Sequence, residues 1–260
     1  MEKTEKPMMK NVNHWSYSSA KNIYHSGIDY AVGLKLGLIK KTYGKAVDIG
    51  KLAHAHLLGG EQEFVVKQYP DYRTKEARDW RDAQTLPIID EAEFETICTI
   101  AERIKSHPLA NQLVLGENAR HEIPLKAKIE GKEWVGRADV VGVQDDEVKY
   151  CLDVKTTARF DDFKWEARRM DYDLQAALYS LIAECESKEF FWVVAETVAP
   201  YRVGVATASP EFIDSGFVKL ERIVGEIKRF DKRSGKTDLE KVNFNINETM
   251  DDVLILGDWS

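Results

Sequence analysis

The sequence predicts an α/β fold in which a central mixed β-sheet is flanked by helices. Three observations carry this. Apolar residues recur at helical spacing near both ends of the chain, short extended runs crowd the middle from His121 to Lys155, and one more helical stretch separates those runs from a second strand pair. At 260 residues the chain can bury one sizeable core. No repeat and no long Pro/Gly/Ser linker divides it, so one domain over residues 1–260 is expected, with its core at about 47–230.

The first third is helical in pattern but broken by glycines, with a helix around Gly50 to Leu58. The polar stretch Lys67 to Gln84 mixes Tyr69, Tyr72 and Trp80 with Arg73, Lys75, Arg78 and Arg81. That interleaving suits a surface that grips phosphates and stacks bases, and equally a solvated connection. Asp90 caps the next helix, Glu93 completes a capping box, and Ile89 with Phe94 forms the staple; Phe94, Ile97, Ala101 and Ile104 share one face. Ile123 to Lys128 and Trp134 to Val143 read as a hairpin around Glu130-Gly131-Lys132, and Lys149 to Lys155 follows the turn Asp145-Asp146-Glu147. A long helix is expected from Trp165 to Glu184, burying Leu174, Leu178, Leu181 and Ile182. Phe190 to Val198 and Tyr201 to Ala206 pair around Ala199-Pro200. Ser209-Pro210 then opens a last helix with Ile213, Phe217, Leu220, Val224 and Ile227 on its apolar face.

Composition narrows the function classes. With 43% hydrophobic and 31% charged residues, and no apolar run near the ~20 residues that span a bilayer, neither a membrane protein nor a disordered one is expected. Met1 to Lys10 is charged and lacks the apolar core of a secretory signal, so the cytoplasm is the expected location. Cys98, Cys151 and Cys185 form no CxxC and read as buried reduced thiols. The net charge of −7 argues against coating nucleic acid by bulk electrostatics, though not against a local basic groove. Much of the acidity lies in an acidic tail, 247–260, with Glu248, Asp251, Asp252 and Asp258 and no Lys or Arg.

The chemistry concentrates in Gly136-Arg137-Ala138-Asp139 and Asp153-Val154-Lys155. Side chains alternate along a strand, so Asp153 and Lys155 share one face while Val154 turns to the core. If the neighbouring strand sets Asp139 alongside, two carboxylates converge where a hard divalent cation binds through oxygen. Such a cation activates water and neutralises charge on a phosphodiester. Spacing alone also fits a surface ion pair.

The order of the polar motifs resembles the PD-(D/E)XK nuclease superfamily, and within it the RecE type, exonuclease VIII, over about Val47 to Val205. Gly50, His54 and the pair Leu57-Leu58 match its early helix, Glu122 its first core strand, and Arg137-Ala138-Asp139 its Arg-Pro-Asp with the proline replaced. Asp153-Val154-Lys155-Thr156-Thr157 matches DVKTT in full, and Tyr172 to Tyr179 looks like the RecB-type helical motif, with Gln175 and Tyr179 four apart. Gly59-Gly60-Glu61 departs from the usual Glu-Pro-Glu.

The resemblance implies a restriction-endonuclease-like core and assigns roles. Asp139, Asp153 and the carbonyl of Val154 would ligate Mg²⁺, with Mn²⁺ as a substitute, and His54, with His56 as competitor, would complete the shell. Glu122 would bind the metal or orient water at it. Lys155 would position the nucleophile or stabilise developing charge, and Gln175 and Tyr179 would reach a phosphate from one helix face. Arg73, Lys75, Arg137, Thr156 and Thr157 are candidate nucleic-acid contacts. The implied activity is 5′→3′ resection of duplex DNA ends to leave 3′ single-stranded tails, by a homo-oligomeric ring partnered with a RecT-like single-strand annealing recombinase. A nuclease of other polarity, an endonuclease, and an inactive DNA-binding module on the same fold are the alternatives.

Overall fold

The computed structural model describes residues 14–40, 49–59 and 64–234; the acidic tail and part of the Gly59-Gly60-Glu61 exit lie outside the described residues. In chain order the elements are β1 (His14–Trp15), α1 (Tyr17–Lys35), α2 (Ile49–Leu58), β2 (Val65–Val66), α3 (Lys75–Asp82), β3 (Ile88–Ile89), α4 (Glu91–Ser106) and α5 (Pro108–Leu115). There follow β4 (Ala119–Ile129), β5 (Lys132–Gln144), β6 (Glu147–Thr157), α6 (Phe163–Arg169), α7 (Tyr172–Ala183), β7 (Phe190–Glu196), β8 (Val203–Thr207) and α8 (Pro210–Ser234).

Two tight turns organise the sheet. Glu130 and Gly131 have φ of 51° and 77°, and Asp145 and Asp146 have 53° and 61°. Consecutive left-handed residues give a two-residue loop the twist that antiparallel strands require. They join β4 to β5 and β5 to β6, both antiparallel. β7 then adds parallel to β6, because a helical crossover carries the chain back to the same end of the sheet, and β8 pairs antiparallel with β7. The result is a mixed six-stranded sheet in the order β1-β5-β6-β7-β8, with β4 along the other edge of β5. β2 and β3 form a separate parallel pair.

Helices cover both faces. On one, Leu52, Leu57, Ile97, Ile100 and Ile104 from α2 and α4 pack with Val140, Leu152 and Val193 of the sheet. On the other, α1, α7 and α8 bury Ile23, Leu174, Leu178, Ile223 and Ile227 against Trp134. Each such side chain contributes about 1.5–3 kcal/mol on leaving water. The capping box at α4 forms as its sequence predicts, Asp90 Oδ1 accepting from the Glu93 N–H and the Asp90 N–H donating to Glu93 Oε2, both at 2.8 Å. Two glycines permit close helix approach. A Cβ on Gly136 would sit 2.8 Å from Ile182 Cδ1, and one on Gly216 would sit 2.1 Å from the Asp173 carbonyl oxygen.

Several expectations are corrected or refined. The helix from Trp165 to Glu184 is two helices, α6 and α7, because Asp171 takes a left-handed φ of 56°. Tertiary bonds hold that break: the Tyr17 hydroxyl donates to the carbonyls of Met170 and Asp171, and the Asp171 carboxylate meets His25 and Lys219. Leu181 is exposed rather than buried, since the buried side of α7 is centred on Leu174 and Leu178. Of the cysteines only Cys151 is fully buried; all three are free, and Cys98 and Cys185 lie at half-buried positions. The stretch Lys67 to Gln84 holds α3, capped by Thr74, whose only buried residue is Ala77. Val154 is half-buried, packed against the core rather than within it.

Candidate active site

The site forms where β5 and β6 part. Their last described pair is Val140 with Leu152, so the next step of the same register sets Asp139 opposite Asp153 without a ladder bond. The Val154 N–H that this separation frees donates instead to Asp139 Oδ2 at 2.7 Å, so one ligand candidate is fixed by the backbone of another's strand. Along the other edge, the β4 ladder pairs His121 with Val140 and Ile123 with Ala138 but passes over Glu122, whose φ is 53°. A left-handed glutamate in a strand stores strain of order 1–3 kcal/mol, and such strain clusters at functional positions.

α2 delivers His54 from one face. Its Nε2 lies 3.0 Å from Asp139 Oδ2 and 3.6 Å from Glu122 Oε1. Ligand atoms of His54, Glu122 and Asp139 all fall within 4.8 Å of one another. His56, the competing histidine, is exposed and its ring lies 6.4 Å from that of Phe94, edge-on. Burial opposes protonation of His54, but Asp139, Glu122 and Asp153 outweigh it and raise its pKa.

α7 approaches from the opposite face. Gln175, 3% exposed, donates from Nε2 to Asp153 Oδ1 at 2.5 Å. Asp153 Oδ2 lies 2.5 Å from Lys155 Nζ, so the predicted shared face is present. That oxygen is buried yet accepts no aligned hydrogen bond. Desolvation by burial pushes the Asp153 carboxyl up to about 6; Lys155 and Gln175 pull it down and Asp139 pushes it further up. Burial also works against charge on Lys155, but Asp153, Tyr172 and Asp139 outweigh it and raise its pKa, so the ammonium persists. The Lys155 Nζ sits 4.7 Å from the centre of the Tyr172 ring, a cation–π contact that the sequence motif contained without revealing its purpose.

The donor chemistry suits a divalent cation. Two carboxylates and an imidazole converge beside a third carboxylate that is desolvated and ion-paired with Lys155. The side chains whose ligand atoms lie together are His54, Glu122 and Asp139, while Asp153, opposite Asp139 in the strand register, stands outside that group; an ion there would relieve the crowding of negative charge.

The remaining candidates divide. Arg137 is largely exposed and its Nε holds Glu122 Oε2 at 2.8 Å. The Tyr179 hydroxyl donates to the Arg137 carbonyl at 3.3 Å, and burial lifts its pKa to about 12, so it stays neutral. Gln175 and Tyr179 thus brace Asp153 and Arg137, a different engagement from the phosphate contact expected of them. Thr157 is buried, donating to Glu166 Oε2 at 2.9 Å and accepting the Arg159 N–H, because strand alternation turns it inward. Thr156 lines a cleft of about 1310 Å³ that begins where β6 ends. Arg73 is exposed and pairs with Asp71, and Lys75 opens α3; neither has a described contact with the carboxylate cluster.

A crystal structure of a protein from Eubacterium rectale, described as a "putative exonuclease", matches with a TM-score of 0.60 at 15% identity, over 92% of this chain and 89% of that one. At that identity the likeness is one of fold. The crystal structure of SSO0001 covers 67% of this chain and 84% of its own at 11% identity, with a TM-score of only 0.30. No curated protein matches the sequence. Residues 16–245 match the family described as a PDDEXK-like domain of unknown function (DUF3799), and the chain therefore belongs to that family, within the PD-(D/E)XK superfamily.

Proposed function

We propose that this protein is a Mg²⁺-dependent exodeoxyribonuclease of the RecE type, resecting duplex DNA ends 5′→3′ to leave 3′ single-stranded tails. The observation that carries the reading is the meeting of Asp139, Asp153 and Lys155 where β5 and β6 separate, with His54 and Glu122 beside them. The Val154 carbonyl joins His54, Glu122, Asp139 and Asp153 as the groups that would hold Mg²⁺, or Mn²⁺ in its place. When bound, the cation supplies Lewis-acid stabilisation of the phosphodiester and a lowered pKa for attacking water.

The chain's own residues supply the rest. The Gln175 amide and the Val154 N–H fix the orientation of two carboxylates, which reduces reorganisation during reaction. The Lys155 ammonium, held by Asp153 and Tyr172, sets a positive charge where the phosphate gains negative charge. Arg137 keeps Glu122 turned toward His54 and contributes an exposed cation for the DNA backbone. A homo-oligomeric ring with a RecT-like annealing partner accommodates the net acidity, since an acidic exterior is compatible with a basic bore.

The test is blunt duplex DNA labelled at either the 5′ or the 3′ terminus, incubated with and without Mg²⁺. Early metal-dependent loss of the 5′ label is expected; sole loss of the 3′ label assigns the opposite polarity, and cutting of closed circles assigns an endonuclease. Asp153→Ala should lower hydrolysis at least about a thousandfold, as removal of a transition-state electrostatic group does, while leaving DNA association in place.

A further inference from the structure

We propose that the cleft running from the end of β6 past α6 is the path of a single nucleic-acid strand, and that Trp165 stacks on one of its bases. The inference rests on the nuclease reading and adds the strand's route and a residue that the sequence motifs do not mark.

The cleft, about 1310 Å³, begins at the residues that continue β6 beyond the site. Its floor includes Thr156, Thr157 and Ala158, the residues that directly follow Lys155. One wall is α6, where Trp165 is 59% exposed although it is the largest kind of side chain and normally shelters. Cations flank its ring: Lys164 Nζ lies 5.2 Å and the Arg168 guanidinium 5.7 Å from the centroid. Arg169 lines the same cleft and makes no ion pair among the described residues.

Four carboxylates line the cleft beside Arg159 and Arg169; each has a partner, and of the four only Asp162 is paired with a cation. Asp162 pairs with Arg159 at 3.3 Å, Glu166 accepts from Thr157, and Asp90 and Glu93 close the α4 capping box. That leaves an exposed ring with Lys164 and Arg168 over it and Arg169 in the same cleft, long flexible cations that an entering base can displace onto its phosphates. An exposed ring among cations, opening on a groove too wide for one small metabolite, is the chemistry that holds single strands: phosphates meet the cations and a base meets the ring. Within a duplex the bases stack on one another and only the terminal pair offers a free face, so along the cleft the occupant is the separated strand.

The experiment measures binding of a dT oligonucleotide and of its abasic counterpart in Ca²⁺, by anisotropy, for wild type, Trp165→Ala and Trp165→Phe. Stacking is sequence-tolerant and worth about five- to hundredfold in affinity per base. Trp165→Ala is expected to weaken dT binding by about tenfold, Trp165→Phe by far less, and the abasic strand to bind wild type and Trp165→Ala alike. Equal dT affinity for wild type and Trp165→Ala overturns the proposal, as does an equal loss on the abasic strand or failure of the wild type to bind any single strand. Stacking by Trp165 in a protein that hydrolyses no labelled DNA with Mg²⁺ or Mn²⁺ would uphold the strand path and reject the nuclease reading instead.

Discussion

Gln175 and Asp153 meet at 2.5 Å across the interface between a buried helix and the central sheet, amide nitrogen to carboxylate oxygen. The glutamine is almost wholly buried and its own carbonyl oxygen has no hydrogen-bond partner among the described residues, so the helix presents it to the aspartate and to little else. The four-residue interval between Gln175 and Tyr179 therefore works on the site from behind.

Replacing Gln175 should act through Asp153. Gln175→Leu is expected to lower turnover by about 10–100-fold, the usual cost of removing a group that orients a ligand. Gln175→Glu should cost more, because a second carboxylate at 2.5 Å drives the Asp153 pKa further up. A pH–rate profile separates the two, with the acidic limb of the Glu variant displaced to higher pH.

Cation binding should release protons in a defined pH window. Burial raises the Asp153 carboxyl to about 6, so below that pH it holds a proton that an incoming ion must displace. His54, whose pKa is also raised, holds a second one. Calorimetry with Mn²⁺ in buffers of different ionisation enthalpy should find about two protons released near pH 5, falling as pH rises through the Asp153 value of about 6 and then through the raised His54 value. A release independent of pH would contradict the assignment of both residues as ligands.

Lys155→Met should separate chemistry from metal affinity. The ammonium contacts Asp153 Oδ2 at 2.5 Å, in competition with any cation bound there. Its removal is expected to cut hydrolysis by about a hundredfold or more while Mn²⁺ binds more tightly, measured by calorimetry above pH 7.

Stability should hinge on a charge cluster at the start of α7. Lys219 bonds Asp171 at 2.8 Å and Asp173 at 2.9 Å, and both acids are nearly fully buried. Lys219→Met leaves Asp171 with His25 and Asp173 with Ser215 but removes the lysine both acids share, and is expected to cost up to about 3–5 kcal/mol in urea unfolding. Asp173→Asn in the same background should recover part of that loss.

Much of the fold was legible because its determinants are local. The turns at Glu130-Gly131 and Asp145-Asp146 and the Asp90–Glu93 cap are written in a few adjacent residues, and each formed as read. The break at Asp171 was not, since its left-handed backbone is held by Tyr17, His25 and Lys219, residues far away along the chain. Leu181 misled for a related reason: ten of the twelve residues of α7 are buried, so helical period alone did not fix which position faces out. At the site, strand alternation put Asp153 and Lys155 together, but the departure of β6 from β5, which lets Asp139 accept the Val154 N–H, is a property of the sheet. Motif order could group Gln175 and Tyr179 with the acids without saying that both act from behind them.

The left-handed residue between α6 and α7 has an evolutionary corollary. Only Ala167 of the seven residues in α6 is buried, whereas α7 is packed nearly all round. On the strand path proposed above, substitutions on the short outer helix would retune how tightly, and which, polymer is held without disturbing the amide that aligns Asp153. Selection could thus diversify grip while the carboxylate centre stays constant.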